Sequence, residues 1–167
     1  MLVNGKQQTS LWWDNKIPNS VFIIDQRGLP FKFIIEELKS VDDIFNAIKD
    51  MHLRGAPLIG GAAVWGVYFA VLESKGNSDT LIKKTEYLKS TRPTAVNLSY
   101  AVDSALANIQ NSKDLSQSIE LAKQFAIFFC ESEIAACKAI GEYGLPLIEE
   151  ISKRKNGEVV NILTHCN

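Results

Sequence analysis

The segment from Leu58 to Leu72 constrains the fold more than any other, because it is apolar on nearly every side of the helix that it predicts. Its 15 residues are short of the roughly 20 that cross a bilayer. Small residues such as Gly61 and Gly66 recur along it and let neighbouring helices approach closely. The sequence therefore predicts a central buried helix that stops at Gly76-Asn77.

The residues before this segment predict strands and then a first helix. Three runs rich in β-branched and aromatic residues are separated by turn signals at 17–19 and 27–30, and they read SLWWDN, SVFIIDQ and PFKFIIEEL. Helical spacing begins at Val41, where Ser40 and Asp43 can form a cap. Further helices are predicted at 79–90, 95–109, 114–142 and 145–152. The predicted fold class is α+β, a small antiparallel sheet followed by a helical bundle.

The C-terminal segment GEVVNILTHCN predicts a buried strand from Val159 to Leu163, after a turn at Asn156-Gly157. A single interior strand leaves its backbone donors and acceptors unsatisfied. This strand is therefore expected to be either an edge of an earlier sheet or the start of a larger fold.

Composition excludes several classes of protein. Hydrophobic residues make up 46% and charged residues 22%, which is typical of a globular chain. The net charge of −1 gives no electrostatic reason to expect a nucleic-acid or membrane partner. Three cysteines, an odd number, argue against a secreted disulfide scaffold and favour a cytoplasmic location.

Two arginines precede predicted helices. In MHLRGAPLIGG, Arg54 and Gly55 stand just before a helix whose free N–H groups could hold an anion, although a plain connecting loop fits the pattern too. In STRPTAVN, Arg92 precedes Pro93, and Thr94 is predicted to cap the next helix. The two arginines could converge on one anion, but a surface position is the usual alternative for each.

The thiol of Cys166 follows the terminal strand, where open α/β sheets present ligand-binding groups. It could serve as a nucleophile or in proton transfer, whereas most free cysteines do neither. His165 would face the opposite side of a strand, which argues against a Cys–His pair. His52 is interpreted as a packing or surface residue. Cys130 and Cys137 are interpreted as core residues, and no metal site is predicted.

Five stretches in order resemble the methylthioribose-1-phosphate isomerase family, which is similar to regulatory subunits of initiation factor 2B and to ribose-1,5-bisphosphate isomerases. They are IIDQRGLP, AIKDMHLRGAPLIGGAA, TRPTAVNL, AIGEYGLPLI and ILTHCN. The resemblance covers only the N-terminal half of such a protein. It implies a sheet and helical-bundle domain at 1–152 and, at 153–167, the start of a truncated Rossmann-like domain.

The resemblance implies conversion of 5-methylthioribose 1-phosphate to 5-methylthioribulose 1-phosphate in methionine salvage, without a cofactor or metal. Phosphate blocks the anomeric carbon, so the enzyme must protonate the ring oxygen and move a proton or hydride between C2 and C1. The residues matching Arg54, Gly55, Ala56 and Arg92 would bind substrate and phosphate, and Cys166 would act in acid/base chemistry. The catalytic Asp would come from the absent domain, so the chain is expected to be inactive alone.

The expected partners are a phosphorylated sugar, a separate C-terminal half and further copies of the chain in a homo-oligomer, with no nucleic acid and no membrane. A second interpretation is a regulatory module, related to the initiation factor 2B subunits, that senses a phosphorylated sugar or nucleotide. A third is a remnant that folds but binds nothing.

Overall fold

The structure, a computed structural model, describes residues 2–3 and 5–164. Two small sheets come first in the chain and α-helices follow, which confirms the α+β fold class. In chain order the elements of the described residues are β1 (Leu2–Val3), β2 (Lys6–Gln7), β3 (Leu11–Trp13), β4 (Val21–Asp25), β5 (Ile34–Leu38), α1 (Val41–Lys49), α2 (Ala56–Ser74), α3 (Ser78–Lys89), α4 (Val96–Ile109) and α5 (Leu115–Arg154).

The larger sheet has the order β3-β4-β5, with β4 antiparallel to both neighbours. Phe22 in β4 pairs with Trp12 of β3 on one side and with Glu37 of β5 on the other. Val21 and Ile23 are fully buried, so one face of the sheet covers the core. The predicted antiparallel sheet is therefore confirmed, and β1 and β2 form a separate two-stranded sheet.

Helix α2 is the centre of the helical bundle. Every residue from Ile59 to Val71 is buried, and α2 contacts α1, α3 and α4. Its length and composition would allow it to cross a membrane, but 72% of its apolar window is buried inside the protein. This burial is that of a core helix, as the sequence predicts.

The small residues of α2 allow close packing, as predicted. A Cβ placed on Gly66 would lie 2.8 Å from Leu88 Cδ1 in α3 and 3.1 Å from Ile44 Cγ2 in α1. Both neighbours are fully buried, so the side chains on either side have little room to move away. At Gly66, α1 and α3 therefore both pack closely against α2.

Three local predictions are wrong. The expected break between residues 142 and 145 is absent, because α5 continues through Pro146, which leaves one backbone acceptor without its helical donor but does not end the helix. The residue capping α4 is Ala95, whose backbone precedes the helix, and not Thr94. Cys137 is exposed on α5, outside the core.

The chain divides into two compact units, residues 1–130 and 131–167. The second unit contains the last part of α5 and then residues 158–164, which have no regular secondary structure. The strand predicted from Val159 to Leu163 is not formed: no described strand pairs with this segment, and Leu163 is 98% exposed. The predicted domain boundary near residue 152 stays a prediction.

Candidate functional site

The segment that carries Arg54 is held by backbone contacts on both sides. Leu53 is fully buried, and its N–H donates to the carbonyl of Ala47 at 3.2 Å. Gly55, the residue before α2, has a φ of 106°, a backbone conformation that residues with side chains disfavour. Arg54, Gly55 and Ala56 are all exposed, so the surface at the start of α2 is open to a ligand.

The segment that carries Arg92 has a similar arrangement. The buried hydroxyl of Thr91 donates to the carbonyl of Leu88 at 2.6 Å, which anchors the chain at the end of α3. The Arg92 carbonyl accepts from the Ala95 N–H at 2.9 Å, and α4 begins one residue later. The turn thus places Arg92, which is half-buried, beside the N-terminus of α4.

The N-termini of α2 and α4 lie together. A Cβ on Gly60, in the first turns of α2, would lie 3.6 Å from the carbonyl oxygen of Asn97 in the first turn of α4. Helix α4 is also the helix that α2 contacts most extensively. Since both helices run from this point and stay in contact, they are parallel and present their N-termini at the same end of the bundle.

These two helices also begin without a side-chain cap. In α1, Ser40 accepts from the Asp43 N–H, and in α3, Asn77 accepts from the Thr80 N–H. Asp114 likewise accepts from the Gln117 N–H at the start of α5. In contrast, Gly55 and Ala95 make no side-chain cap hydrogen bond. Pro57 has no N–H, and the Leu98 N–H donates to the Ala95 carbonyl at 3.0 Å. Among the described residues, the first turns of these two parallel helices therefore leave the N–H groups of Ala56, Leu58, Val96 and Asn97 available for an external acceptor.

In the described part of the chain, no acidic side chain pairs with the two arginines beside these helix ends. Within residues 5–164, neither Arg54 nor Arg92 forms a side-chain hydrogen bond or ion pair, whereas Arg27 and Arg154 both face carboxylates. Positive charge and free N–H groups together favour an anion with several oxygens, such as phosphate. No three acidic, His or Cys groups of the described residues cluster as metal ligands.

Two further predictions concern the roles of Cys166 and His52. Cys166 and its neighbour His165 lie outside the described residues, so the predicted acid/base role of Cys166 stays a prediction. His52 is more than the packing or surface residue expected, since its Nδ1 lies 2.7 Å from Glu36 Oε2. Sequence reasoning missed Glu36, because only the tertiary fold brings β5 beside the segment that follows α1.

Residues 52–167 match the initiation factor 2 subunit family, and they include both helix N-termini described above. The chain belongs to this family. The resemblance to methylthioribose-1-phosphate isomerases is also confirmed. The chain is 47% identical over 174 residues to the methylthioribose-1-phosphate isomerase of Desulfatibacillum aliphaticivorans, and 40% identical over 159 residues to that of Sulfurimonas denitrificans.

Two solved structures are also similar to this chain in fold and sequence. The 5-methylthioribose 1-phosphate isomerase from Pyrococcus horikoshii OT3 matches 86% of the chain with a TM-score of 0.76 and 35% identity. Subunit delta of the translation initiation factor eIF-2B from A. fulgidus matches 75% with a TM-score of 0.68 and 32% identity. The chain spans 46% and 44% of the two curated relatives, and 41% and 37% of these two structures.

Proposed function

We propose that this chain is the N-terminal portion of an aldose–ketose isomerase that converts 5-methylthioribose 1-phosphate to 5-methylthioribulose 1-phosphate. The observation that carries the proposal is the pair of parallel, uncapped helix N-termini, each preceded by an arginine without a protein partner among the described residues. The names of the relatives supply the substrate.

In this proposal the phosphate lies at the paired helix ends. Backbone N–H groups near Gly55 and Ala56 donate to its oxygens, and Arg54 and Arg92 add charge-assisted hydrogen bonds. With C1 held through its phosphate, the ring oxygen and C2 take a fixed position relative to the acid/base groups. Cys166 is proposed as one of these groups.

A second acid/base group is proposed to lie outside this chain, on the remainder of a full-length isomerase. A positioned proton donor or acceptor typically contributes about 10² to 10⁴ in rate, so the chain alone would bind but not turn over substrate. A separate C-terminal half and a homo-oligomer in the cytoplasm complete the proposal.

A titration of the purified chain tests the binding site. We expect inorganic phosphate and 5-methylthioribose 1-phosphate to bind weakly, and Arg54→Ala or Arg92→Ala to weaken binding roughly 10- to 100-fold, the range for a lost hydrogen bond to a charged group. Arg154→Ala, on the exposed surface of α5, is the matched control and should bind as the parent does. Unchanged affinity in both Arg54→Ala and Arg92→Ala would contradict the proposed site.

Turnover is followed in the same preparation by ketose formation. We expect none above background in the parent or in Cys166→Ala. Activity that depends on Cys166, without a partner protein, would show that the chain is catalytically complete.

The similarity to eIF-2B subunit delta supports one alternative, a regulatory module that binds a phosphorylated sugar or nucleotide. Tight binding of a nucleotide, with no turnover even after a C-terminal half is added, would favour it.

A further inference from the structure

A chain of charged groups connects the sheet to the segment before Arg54. It starts at Asp25, the last residue of β4, which is only 4% exposed. Its carboxylate accepts two hydrogen bonds from the Arg27 guanidinium, from Nε at 2.9 Å and from Nη2 at 2.8 Å. The backbone N–H of Arg27 donates to the same carboxylate at 3.0 Å. Arg27 is thereby fixed in one orientation by a planar, two-point contact.

The chain of contacts continues through β5. The Arg27 Nη2 also donates to Glu36 Oε1 at 3.2 Å, and Glu36 Oε2 lies 2.7 Å from His52 Nδ1. An ionised carboxylate only accepts hydrogen bonds, so His52 donates through Nδ1. Each oxygen of Glu36 thus has its own donor, and the side chain of His52 is tied to the sheet.

The backbone of His52 is held by the residue that follows β4. Its carbonyl accepts from the Gln26 N–H at 2.7 Å. The next residue, Leu53, is anchored in the core, and Arg54 follows. Two independent contacts, one through the side chain and one through the main chain, therefore fix the position from which Arg54 extends.

The exposure of these groups indicates what the contacts do. The Arg27 side chain is 46% exposed, and ion pairs of exposed groups stabilise a fold little. Their geometry is nevertheless specific, with a bidentate arginine and a carboxylate shared between two donors. The Glu36 contacts are therefore expected to add little to global stability, while they hold Arg27 and His52 in fixed orientations.

We propose that Arg27, Glu36 and His52, anchored on Asp25, are positioning residues that hold the 50–55 segment so that Arg54 meets its anion. This inference rests on the proposed function, since it assigns the contacts a role in anion binding. It predicts that breaking the contacts of Glu36 with Arg27 or His52 loosens the segment and weakens anion binding while the fold stays about equally stable.

Glu36→Gln tests this role, with Glu37→Gln as its neighbour on β5 outside the network. A glutamine at position 36 has no charge, and its N–H group would face either Arg27, which only donates, or His52, whose Nδ1 would then have to lose its proton and accept. One contact is thus lost or replaced by a weaker neutral hydrogen bond. We expect inorganic phosphate to bind roughly 3- to 10-fold more weakly, amide hydrogens of residues 50–55 to exchange roughly tenfold faster, and the melting temperature to stay within about 2 °C. Glu37→Gln should match the parent in all three measurements.

Variants of His52 provide a second, independent test. His52→Leu removes the donor to Glu36 and should reproduce the losses, whereas His52→Asn keeps an N–H near the Nδ1 position and should restore most of the phosphate affinity. A purely space-filling role for His52 would give the opposite order.

The outcomes separate this inference from the proposed function. If Arg54→Ala and Arg92→Ala both bind phosphate as the parent does, or nothing binds, the proposed function fails, and the positioning role fails with it. If Arg54→Ala alone keeps the parent's affinity, only the positioning role fails. If Arg54→Ala loses affinity but folded Glu36→Gln and His52→Leu keep it, only the positioning role is overturned. Unchanged amide exchange in residues 50–55 of these two variants would also overturn the positioning role alone.

Discussion

Hydrogen bonds from the Arg27 side chain lower the pKa of Asp25 to about 2, from its ordinary value of 3.8. The folded state therefore favours the ionised carboxylate. This stabilisation is complete above about pH 4 and is lost as the pH falls toward 2. Because the Arg27 side chain is half exposed, we expect its size to be on the order of 1 kcal/mol after solvent screening.

Chemical denaturation of the parent and of Asp25→Asn between pH 2 and pH 7 measures this effect. The parent should be more stable than the variant near neutral pH, and the difference should shrink toward zero as the pH falls. Other carboxylates titrate in both proteins and cancel in the comparison. A difference that is constant with pH would mean that Asp25 acts through packing and not through its charge.

Replacing glycine by alanine is expected to have opposite effects on stability at two helical positions. In α2, Gly66→Ala gains about 1 kcal/mol of helix propensity but places a Cβ 2.8 Å from Leu88 Cδ1. Overpacking of a buried site destabilises by about 1–3 kcal/mol, so we expect a net loss of up to about 2 kcal/mol. In α5, Gly141 is exposed, and an added Cβ meets no atom of the described residues within 4 Å.

Gly141→Ala should therefore stabilise α5 by roughly 0.5–1 kcal/mol, or leave global unfolding unchanged while helicity rises. Urea unfolding followed by circular dichroism distinguishes the two variants. Equal stabilisation by both substitutions would show that α1 and α3 can move away from Gly66.

Sequence periodicity was enough to predict most of these elements. The apolar segment of α2, the Ser40 cap and the three strand-forming runs depend on neighbours in the chain, and each is found where predicted. The prediction of a strand after Gly157 was wrong, because a strand forms only with a partner strand, which local sequence does not reveal. The sequence placed Arg54 and Arg92 each at the start of a helix but left open whether they converge, since their helices come together through tertiary packing around Gly60.

At the scale of the molecule, the last eleven residues, Gly157 to Asn167, are expected to contribute little to the core. Residues 158–164 are exposed or half-exposed and lack secondary structure. We expect the chain that ends at residue 156 to unfold cooperatively, with a melting temperature within about 2 °C of the parent. Calorimetry or thermal circular dichroism measures this.

The control deletion is longer and ends the chain at residue 114. It removes Ala122, Ala126 and Phe129, which are buried in the first unit. We expect that chain to lose cooperative unfolding. A molten or insoluble product from the shorter deletion would instead show that the terminal segment is part of the cooperative core.

Because α2 and α4 lack side-chain caps, a substitution that raises thermal stability at these helix ends would also weaken the proposed binding of phosphate. Serine or aspartate in place of Ala95 would cap α4 and stabilise it by about 1 kcal/mol, the most familiar way to improve a helix. The same side chain would occupy the N–H groups that the proposed function gives to phosphate, and aspartate would also repel it. Attempts to make this protein more heat-resistant by conventional helix engineering should therefore leave these two helix ends unaltered.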